Sequence, residues 1–150
     1  MGGVVEATAA AQIAVVRALF AEYVRQVDEP CCFTDFDREL ASLPGDYRLF
    51  LAEEAAGCVA LRLLDRDTAE MKRLYVRGTH RGKGLGRALA ERAIAAAREA
   101  GCVRIVLDTL PKMSEAQQLY RTLNFRPTAP YLKDATPGAI CFELSLSGSA

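Results

Sequence analysis

The middle of the chain contains three short segments that are rich in apolar residues and separated by turn-forming residues, at positions 47–53, 58–64 and 69–76. The first two are largely apolar, and the third alternates with the period of two that is typical of a strand. Consecutive strands joined by short turns pair antiparallel. The pattern therefore predicts a three-stranded meander. Strict alternation in its third strand places Glu70, Lys72, Leu74 and Val76 on one face and Met71, Arg73 and Tyr75 on the other.

Four other segments repeat apolar residues every three or four positions, which is the spacing of an amphipathic helix. These segments are residues 9–27, 35–43, 85–100 and 115–123. Thr34 is a candidate cap for the second helix, and Gly101 follows the third helix where a C-terminal cap belongs. Ser114, with Gln117 three positions later, predicts a capping box at the start of the fourth.

Residues 102–109 are rich in β-branched side chains and residues 140–146 alternate, so both predict strands, with a weaker one at 4–8. Because a helix separates the 102–109 strand from the meander, the two should pair in parallel. The expected fold class is α/β (α+β), with a mixed, mostly antiparallel central sheet of about six or seven strands flanked by about four helices. No linker or repeat divides residues 1–150, which are expected to form a single domain.

The composition of the chain disfavours some classes of binding partner. Lys plus Arg and Asp plus Glu number 19 each, so the net charge is zero. Nucleic acids and anionic membranes bind basic surfaces, and this balance disfavours both as partners. The sequence shows neither a run of about 20 apolar residues nor a recognisable signal peptide, which favours a cytoplasmic location. Five cysteines without a CxxC pair and a single histidine do not make a zinc ligand set, so no metal is expected and the thiols should be reduced.

The strongest local signal is a glycine-rich loop between the third meander strand and the third helix. Its residues are Arg81, Gly82, Lys83, Gly84, Leu85, Gly86 and Arg87. Glycines let the backbone turn tightly beside a ligand, and a helix N-terminus adds free N–H groups and partial positive charge. Together these features predict a phosphate site. A purely structural turn is the alternative.

Spacing excludes two common phosphate-binding loops. A P-loop needs Ser or Thr after its lysine, but Gly84 follows Lys83. A GxGxxG dinucleotide loop would need glycine or alanine where Arg87 stands. The remaining pattern is Arg81-x-x-Gly84-x-Gly86, and it resembles the loop signature of the GNAT superfamily of N-acetyltransferases. The resemblance covers about residues 47–146 and includes the segment Leu119-Tyr120-Arg121-x-x-Asn124-Phe125.

The resemblance implies that acetyl-coenzyme A (acetyl-CoA) is the acyl donor and that its pyrophosphate binds the backbone of residues 81–87. It also implies that Leu74, Tyr75 and Val76 bond the pantetheine arm and supply an amide to the thioester oxyanion. Tyr120 stands where the family carries a tyrosine near the coenzyme sulfur, and so is a candidate acid; a core aromatic is the alternative. Glu70 lies at a spacing that some members use for the base. The alternative is a solvated strand residue paired with Lys72 or Arg62.

Three further positions are interpreted more locally. His80 reads as a surface loop residue beside the phosphate site. Asp108 ends a strand near the site, where it is either a substrate contact or a cap for the following turn. Met113 stands where many GNAT relatives carry an asparagine that touches the coenzyme.

The expected function is acetyl-CoA-dependent N-acetylation of a primary amine, which is a small molecule, an amino acid or a peptide N-terminus. The main alternative is a non-catalytic acyl-CoA-binding module. An acetyltransferase acting on an aminoglycoside or a charged tRNA is a third hypothesis. Relatives often form homodimers. The acceptor is expected to contact Tyr23, Cys31, Phe33 and the loop at residues 131–137.

Overall fold

A computed structural model of the chain describes residues 3–27, 36–132 and 138–146. Its centre is a sheet of seven strands in the order β1-β2-β3-β4-β5-β7-β6. The strands are β1 (Val4–Glu6), β2 (Tyr47–Ala52), β3 (Gly57–Leu63), β4 (Thr68–Val76), β5 (Arg104–Thr109), β6 (Arg126–Thr128) and β7 (Ile140–Ser145). All neighbours pair antiparallel except β4 and β5, which pair in parallel. The predicted fold class, the meander and the single parallel pairing are confirmed.

Four α-helices flank the sheet in the described part of the chain. They are α1 (Ala10–Val27), α2 (Phe36–Ser42), α3 (Leu85–Glu99) and α4 (Ser114–Thr122). The predicted cap Thr34 and the predicted helix start at residue 35 lie outside the described residues, as do Cys31, Cys32, Phe33 and residues 133–137. None of the helices in the described ranges has both the length and the apolar character needed to cross a bilayer.

Two apolar layers cover the two faces of the sheet. The side chains of Phe50 and Val59 pack with those of α3 and α4, whereas Leu49 and Cys58 pack with those of α1 and α2. Neighbouring residues on a strand point to opposite faces, so the central strands are buried on both sides. In α3 the close contact with the sheet is made largely by alanines, since Ala90, Ala93, Ala96 and Ala97 are all fully buried.

The predicted strict alternation along β4 is wrong after Lys72. Lys72 pairs with Ala60 and Tyr75 pairs with Cys58, so β4 carries one extra residue in this interval. Arg73, inside it, adopts a left-handed backbone conformation with φ +60°. This is a β-bulge, which shifts the following side chains to the opposite faces. Tyr75 therefore shares a face with Lys72, while Leu74 packs on the α3 side.

The predicted capping box at Ser114 is also wrong. The cap position of α4 is Met113, and no side chain caps it. The Gln117 amide instead donates hydrogen bonds to the carbonyls of Leu110, at 2.9 Å, and Pro111, at 3.2 Å. Gln117 thus holds the loop that precedes the helix rather than the first helical turn.

Candidate active site

The candidate active site is a cleft where β4 and β5 separate. Their parallel pairing joins Thr68, Ala69 and Glu70 to Arg104, Ile105 and Val106, and no later pair is present in these two strands. Beyond it the strands diverge and border a cleft of about 570 Å³. Residues of α1, β4, the glycine loop, the end of β5 and α4 line the cleft. Such a gap exposes strand amides and carbonyls that no neighbouring strand satisfies.

The glycine-rich loop forms one end of the cleft. Gly82 and Gly84 have φ values of +81° and +78°, which glycine adopts without the strain that other residues incur. Gly84 is the N-cap of α3 and provides no side-chain hydrogen bond, so the N–H groups of the first turn remain available to a ligand. The α3 dipole adds partial positive charge at the same point. The loop has the structure of an anion site.

The predicted loop residues divide into two groups. Arg81, Gly82, Gly84, Leu85 and Gly86 line the cleft, whereas Lys83 and Arg87 do not. Arg87 is turned toward α4 and its own helix: its guanidinium donates to the Thr122 hydroxyl at 3.3 Å and pairs with Glu91 at 3.3 Å. The Arg81 side chain donates to the carbonyl of Val76 at 3.1 Å and so joins the loop to β4.

The end of β4 forms one wall of the cleft. Leu74, Tyr75 and Val76 all line it, directly after the bulge at Arg73. The Tyr75 hydroxyl donates to Glu22 at 3.1 Å and accepts from the Gln26 amide at 3.0 Å. These bonds connect the strand to α1. Tyr23 of α1, which was expected from sequence to contact the acceptor, lines the cleft, and so does Gln26. Gln26 was not recognised from sequence, because polar residues of this kind have the pattern of any solvated helix face.

Tyr120 lies on the floor of the cleft and is 6% exposed. Its ring packs against those of Phe125 and Phe142, with centroids 5.8 and 6.0 Å away. Burial raises the pKa of the phenol, and the negative charge of Asp108 acts in the same direction. The hydroxyl therefore keeps its proton at neutral pH. It makes no hydrogen bond to any residue in the described ranges.

Glu70 is not in the wall of the cleft. It is 1% exposed, and both of its carboxylate oxygens have partners. Arg62 donates to one oxygen at 2.7 Å, and the Tyr131 hydroxyl donates to the other at 2.6 Å. Arg62 is one of the two partners that the sequence suggested for a structural Glu70.

The β5–α4 connection contributes residues that sequence reasoning left unassigned or missed. Asp108 and Thr109 line the cleft from the end of β5, and Lys112 lines it from the loop beyond. Lys112 donates a hydrogen bond to the carbonyl of Val27 at the end of α1. Met113, in the position of the familial asparagine, accepts a bond from Thr109 through its sulfur at 3.3 Å.

Electrostatics distinguish Asp108 from the other carboxylates. Burial raises the pKa of its carboxyl, and Glu70 adds to this effect, while Lys72 and Arg73 oppose it.

His80 stands at the rim of the cleft, half-buried, with its Nδ1 2.9 Å from the Thr79 hydroxyl. The described residues contain no cluster of His, Cys, Asp or Glu side chains suited to a metal ion.

Comparison with known proteins identifies the family of this fold. The family model for the acetyltransferase (GNAT) family matches residues 13–125. An uncharacterized N-acetyltransferase of Schizosaccharomyces pombe is 33% identical over 141 residues, covering 87% of this chain and 86% of that protein.

Two solved structures share the fold over almost the whole chain. An acetyltransferase of Salmonella typhimurium, solved with its cofactor acetyl-CoA, superposes with a TM-score of 0.77 at 22% identity, covering 99% of this chain and 96% of that one. An acetyltransferase of Streptococcus agalactiae has a TM-score of 0.78 at 20% identity, with 97% and 98% covered. The diverging strands, the glycine loop and these relatives agree, and the chain belongs to the GNAT family of acetyltransferases.

Proposed function

We propose that this protein transfers the acetyl group of acetyl-CoA to a primary amine. The observation that carries the proposal is a single cleft that connects the free N–H groups of the α3 N-terminus with the buried hydroxyl of Tyr120. A ligand with a phosphate at one end and a reactive thioester at the other matches this arrangement. The Salmonella relative of the same fold was solved with acetyl-CoA.

The residues that would hold the coenzyme follow from the geometry. The backbone of Gly82, Gly84 and Gly86 faces the pyrophosphate, with Arg81 beside it. Main-chain groups of Leu74 to Val76 bond the pantetheine arm, because β5 has diverged and leaves them free. A cleft of about 570 Å³ falls within the usual range of ligand pockets, roughly 300–1,000 Å³.

The chemistry requires a proton donor for the leaving group. The amine nitrogen forms a bond to the thioester carbon, and the C–S bond breaks to give a thiolate. Tyr120 gives its proton to this sulfur, which favours departure. A strand amide after the Arg73 bulge, among Leu74 to Val76, stabilises the negative charge that develops on the carbonyl oxygen.

Glu70 is proposed as the base, acting through the Tyr131 hydroxyl rather than by touching the amine. Tyr131 donates to Glu70, so its oxygen can accept a proton from the substrate side as it passes its own proton to the carboxylate. Glu70→Gln should then lower kcat and shift the acidic limb of the pH–rate profile. An unchanged pH profile would assign the Glu70–Arg62 pair to structure alone.

The function is tested by thiol release from acetyl-CoA across a panel of amines, each compared with the same reaction lacking amine. Amine-dependent release, with one N-acetylated product formed per thiol, is expected. Tight coenzyme binding without turnover on any amine would favour the non-catalytic acyl-CoA module instead.

A further inference from the structure

The carboxylate of Asp108 belongs to the cleft at the point where β4 and β5 separate. Asp108 follows Val106, the last residue of β5 that pairs with β4, by two positions, and it lines the cleft in a half-buried position. Glu115 is the other carboxylate among the described lining residues. It is exposed in the first turn of α4, where a negative charge complements the helix dipole. Asp108 is therefore the carboxylate that a ligand between the two strands would meet.

The charged groups that act on Asp108 lie on β4. Arg73 and Glu70 each pair with another side chain, at 2.8 and 2.7 Å. Lys72 attracts the Asp108 carboxylate and, against the effect of burial, favours its ionised form. Lys72 is not among the described residues that line the cleft, whereas Asp108 is. The carboxylate is thus stabilised by a charge outside the cleft and can be approached by a ligand from within it.

Asp108 also lies near both phenols that are proposed to move protons. Burial raises the pKa values of the Tyr120 and Tyr131 phenols, and the charge of Asp108 contributes to both increases. Such an influence between a charge and a titrating group falls with distance. A group held at Asp108 would therefore lie near Tyr120, the proposed acid, and near Tyr131, through which Glu70 is proposed to act. An attacking amine must occupy this position.

Tyr23 of α1 borders the same part of the cleft. Its ring packs edge-on against that of Tyr75, with centroids 5.8 Å apart, and its hydroxyl is 4.0 Å from the Met113 sulfur. All three of these residues line the cleft. A carboxylate beside aromatic rings suits a cation on an apolar stem, because the carboxylate takes the charge and the rings attract the cation and cover its methylene groups.

We propose that the acceptor is an aliphatic amine and that it binds to Asp108 as its ammonium ion. The inference rests on the proposed N-acetyltransferase function and narrows its acceptor to amines that are protonated in neutral water, as the lysine side chain is. A neutral arylamine would bring no charge to the Asp108 carboxylate. Asp108 selects and positions the amine, while the proton that the ammonium loses before attack passes to Glu70 through Tyr131.

The first experiment changes the charge of the ligand at nearly constant shape. Alkylamines and the alcohols with the same carbon skeletons are titrated into the unaltered protein saturated with coenzyme A, so that no acetyl transfer takes place. At least one amine should bind about 10- to 100-fold more tightly than its alcohol, the usual effect of a hydrogen bond to a charged group. Equal affinities throughout would overturn the inference and leave the proposed function standing. Preferential binding of amines that are never acetylated would instead overturn the proposed function.

Variants then assign the preference to one carboxylate. Asp108→Asn should abolish the preference for amine over alcohol and raise KM for the amine about 10- to 100-fold, with coenzyme affinity unchanged. Asp108→Glu, which restores the charge, should recover part of the preference. Asp67→Asn, at an exposed position in the β3–β4 turn, is the matched control and should have no effect. An Asp108→Asn protein that still prefers amine to alcohol would contradict the assignment, whatever its activity.

Discussion

Tyr120 is the residue on which the proposed chemistry depends most. Its ring is held by Phe125 and Phe142, while its hydroxyl has no protein partner in the described ranges. Tyr120→Phe should therefore preserve folding and coenzyme binding but lower kcat by about 100-fold or more, the usual effect of losing a general acid. Steady-state thiol release and a coenzyme binding isotherm measure the two effects separately.

Tyr47→Phe is the matched control for this substitution. The Tyr47 hydroxyl donates to Glu39 at 3.2 Å and lies outside the cleft, so kcat should not change. Equal activity of Tyr120→Phe and the unaltered protein would show that Tyr120 is only a core aromatic.

Asp108 should reduce stability at neutral pH. Its pKa is raised in the folded state above the ordinary 3.8, chiefly by burial. The folded protein therefore resists ionisation of this group: the resulting penalty is absent below the unfolded pKa and complete above the folded pKa. Asp108→Asn should raise Tm at mildly alkaline pH, and this gain should disappear in acid.

Thermal melts across a pH series test this expectation, with Asp67→Asn as the exposed control. A gain in Tm that is independent of pH, or a loss at alkaline pH, would show that Asp108 is compensated in the folded protein. The outcome does not depend on the identity of the acceptor.

Among the elements, the loop that begins α3 is proposed to bind the acetyl donor. Two glycines of the same conformation allow this proposal to be tested. Gly84 and Gly101, at the two ends of α3, have φ values of +78° and +85°, and open space surrounds the position of an added Cβ at both. Alanine at either position should cost about 1 kcal/mol of stability, since both must adopt a left-handed conformation.

Only the substitution at the start of the helix should alter binding. Gly84→Ala disturbs the N–H groups that face the coenzyme, and a loss of roughly 1.4 kcal/mol would weaken binding about tenfold. Gly101→Ala should bind the coenzyme normally. Calorimetric titration measures both. Equal coenzyme affinities for the two variants would contradict the proposal that this loop is an anion site.

The bulged segment of β4 is held by an ion pair to α2. Arg73 and Glu39 are 10% and 16% exposed and pair at 2.8 Å. Glu39→Gln should cost about 3 kcal/mol, because it removes the carboxylate charge from a largely buried ion pair. The more exposed pair of Arg48 and Glu6 provides the comparison, and Glu6→Gln should cost less than about 1 kcal/mol. Chemical denaturation measures both, and equal losses would contradict a special role for the Arg73 pair.

The elements themselves could be predicted from sequence because their signals are local. Short apolar segments between turn residues predicted β2, β3 and β4 within a residue or two, and the glycine loop predicted the start of α3. The bulge at Arg73 carries no such signal, since a non-glycine residue with positive φ is stabilised there by tertiary contacts such as the Glu39 pair. The prediction of a capping box at Ser114 was wrong because the side-chain amide of Gln117 donates its hydrogen bond to a carbonyl of the preceding loop.

At the scale of the whole molecule, the proposed donor and acceptor halves of the site differ in how their residues are distributed along the sequence. The donor half lies largely within the continuous segment from Leu74 to Gly86, so a single stretch of sequence reveals it. The proposed acceptor half is assembled from separate elements that meet only after folding. Tyr23 of α1 and Asp108 of β5 both line the cleft but are 85 positions apart in sequence.

This difference also explains why Glu70 was harder to interpret than the loop. Its position in the sequence indicated a base, but its contacts with Arg62 and Tyr131 depend on the pairing of β3 with β4 and on a distant loop. Sequence spacing reports distance along a strand. It does not report which oxygen of a carboxylate is already occupied.

The central claim is that the cleft transfers an acetyl group from acetyl-CoA to an amine, and one measurement tests it directly. The purified protein is incubated with acetyl-CoA and an amine panel, and free thiol and N-acetylated product are quantified together. The account predicts amine-dependent release with one product molecule per thiol, strongly reduced by Tyr120→Phe. Coenzyme binding with no amine-dependent thiol release from any member of the panel would contradict it.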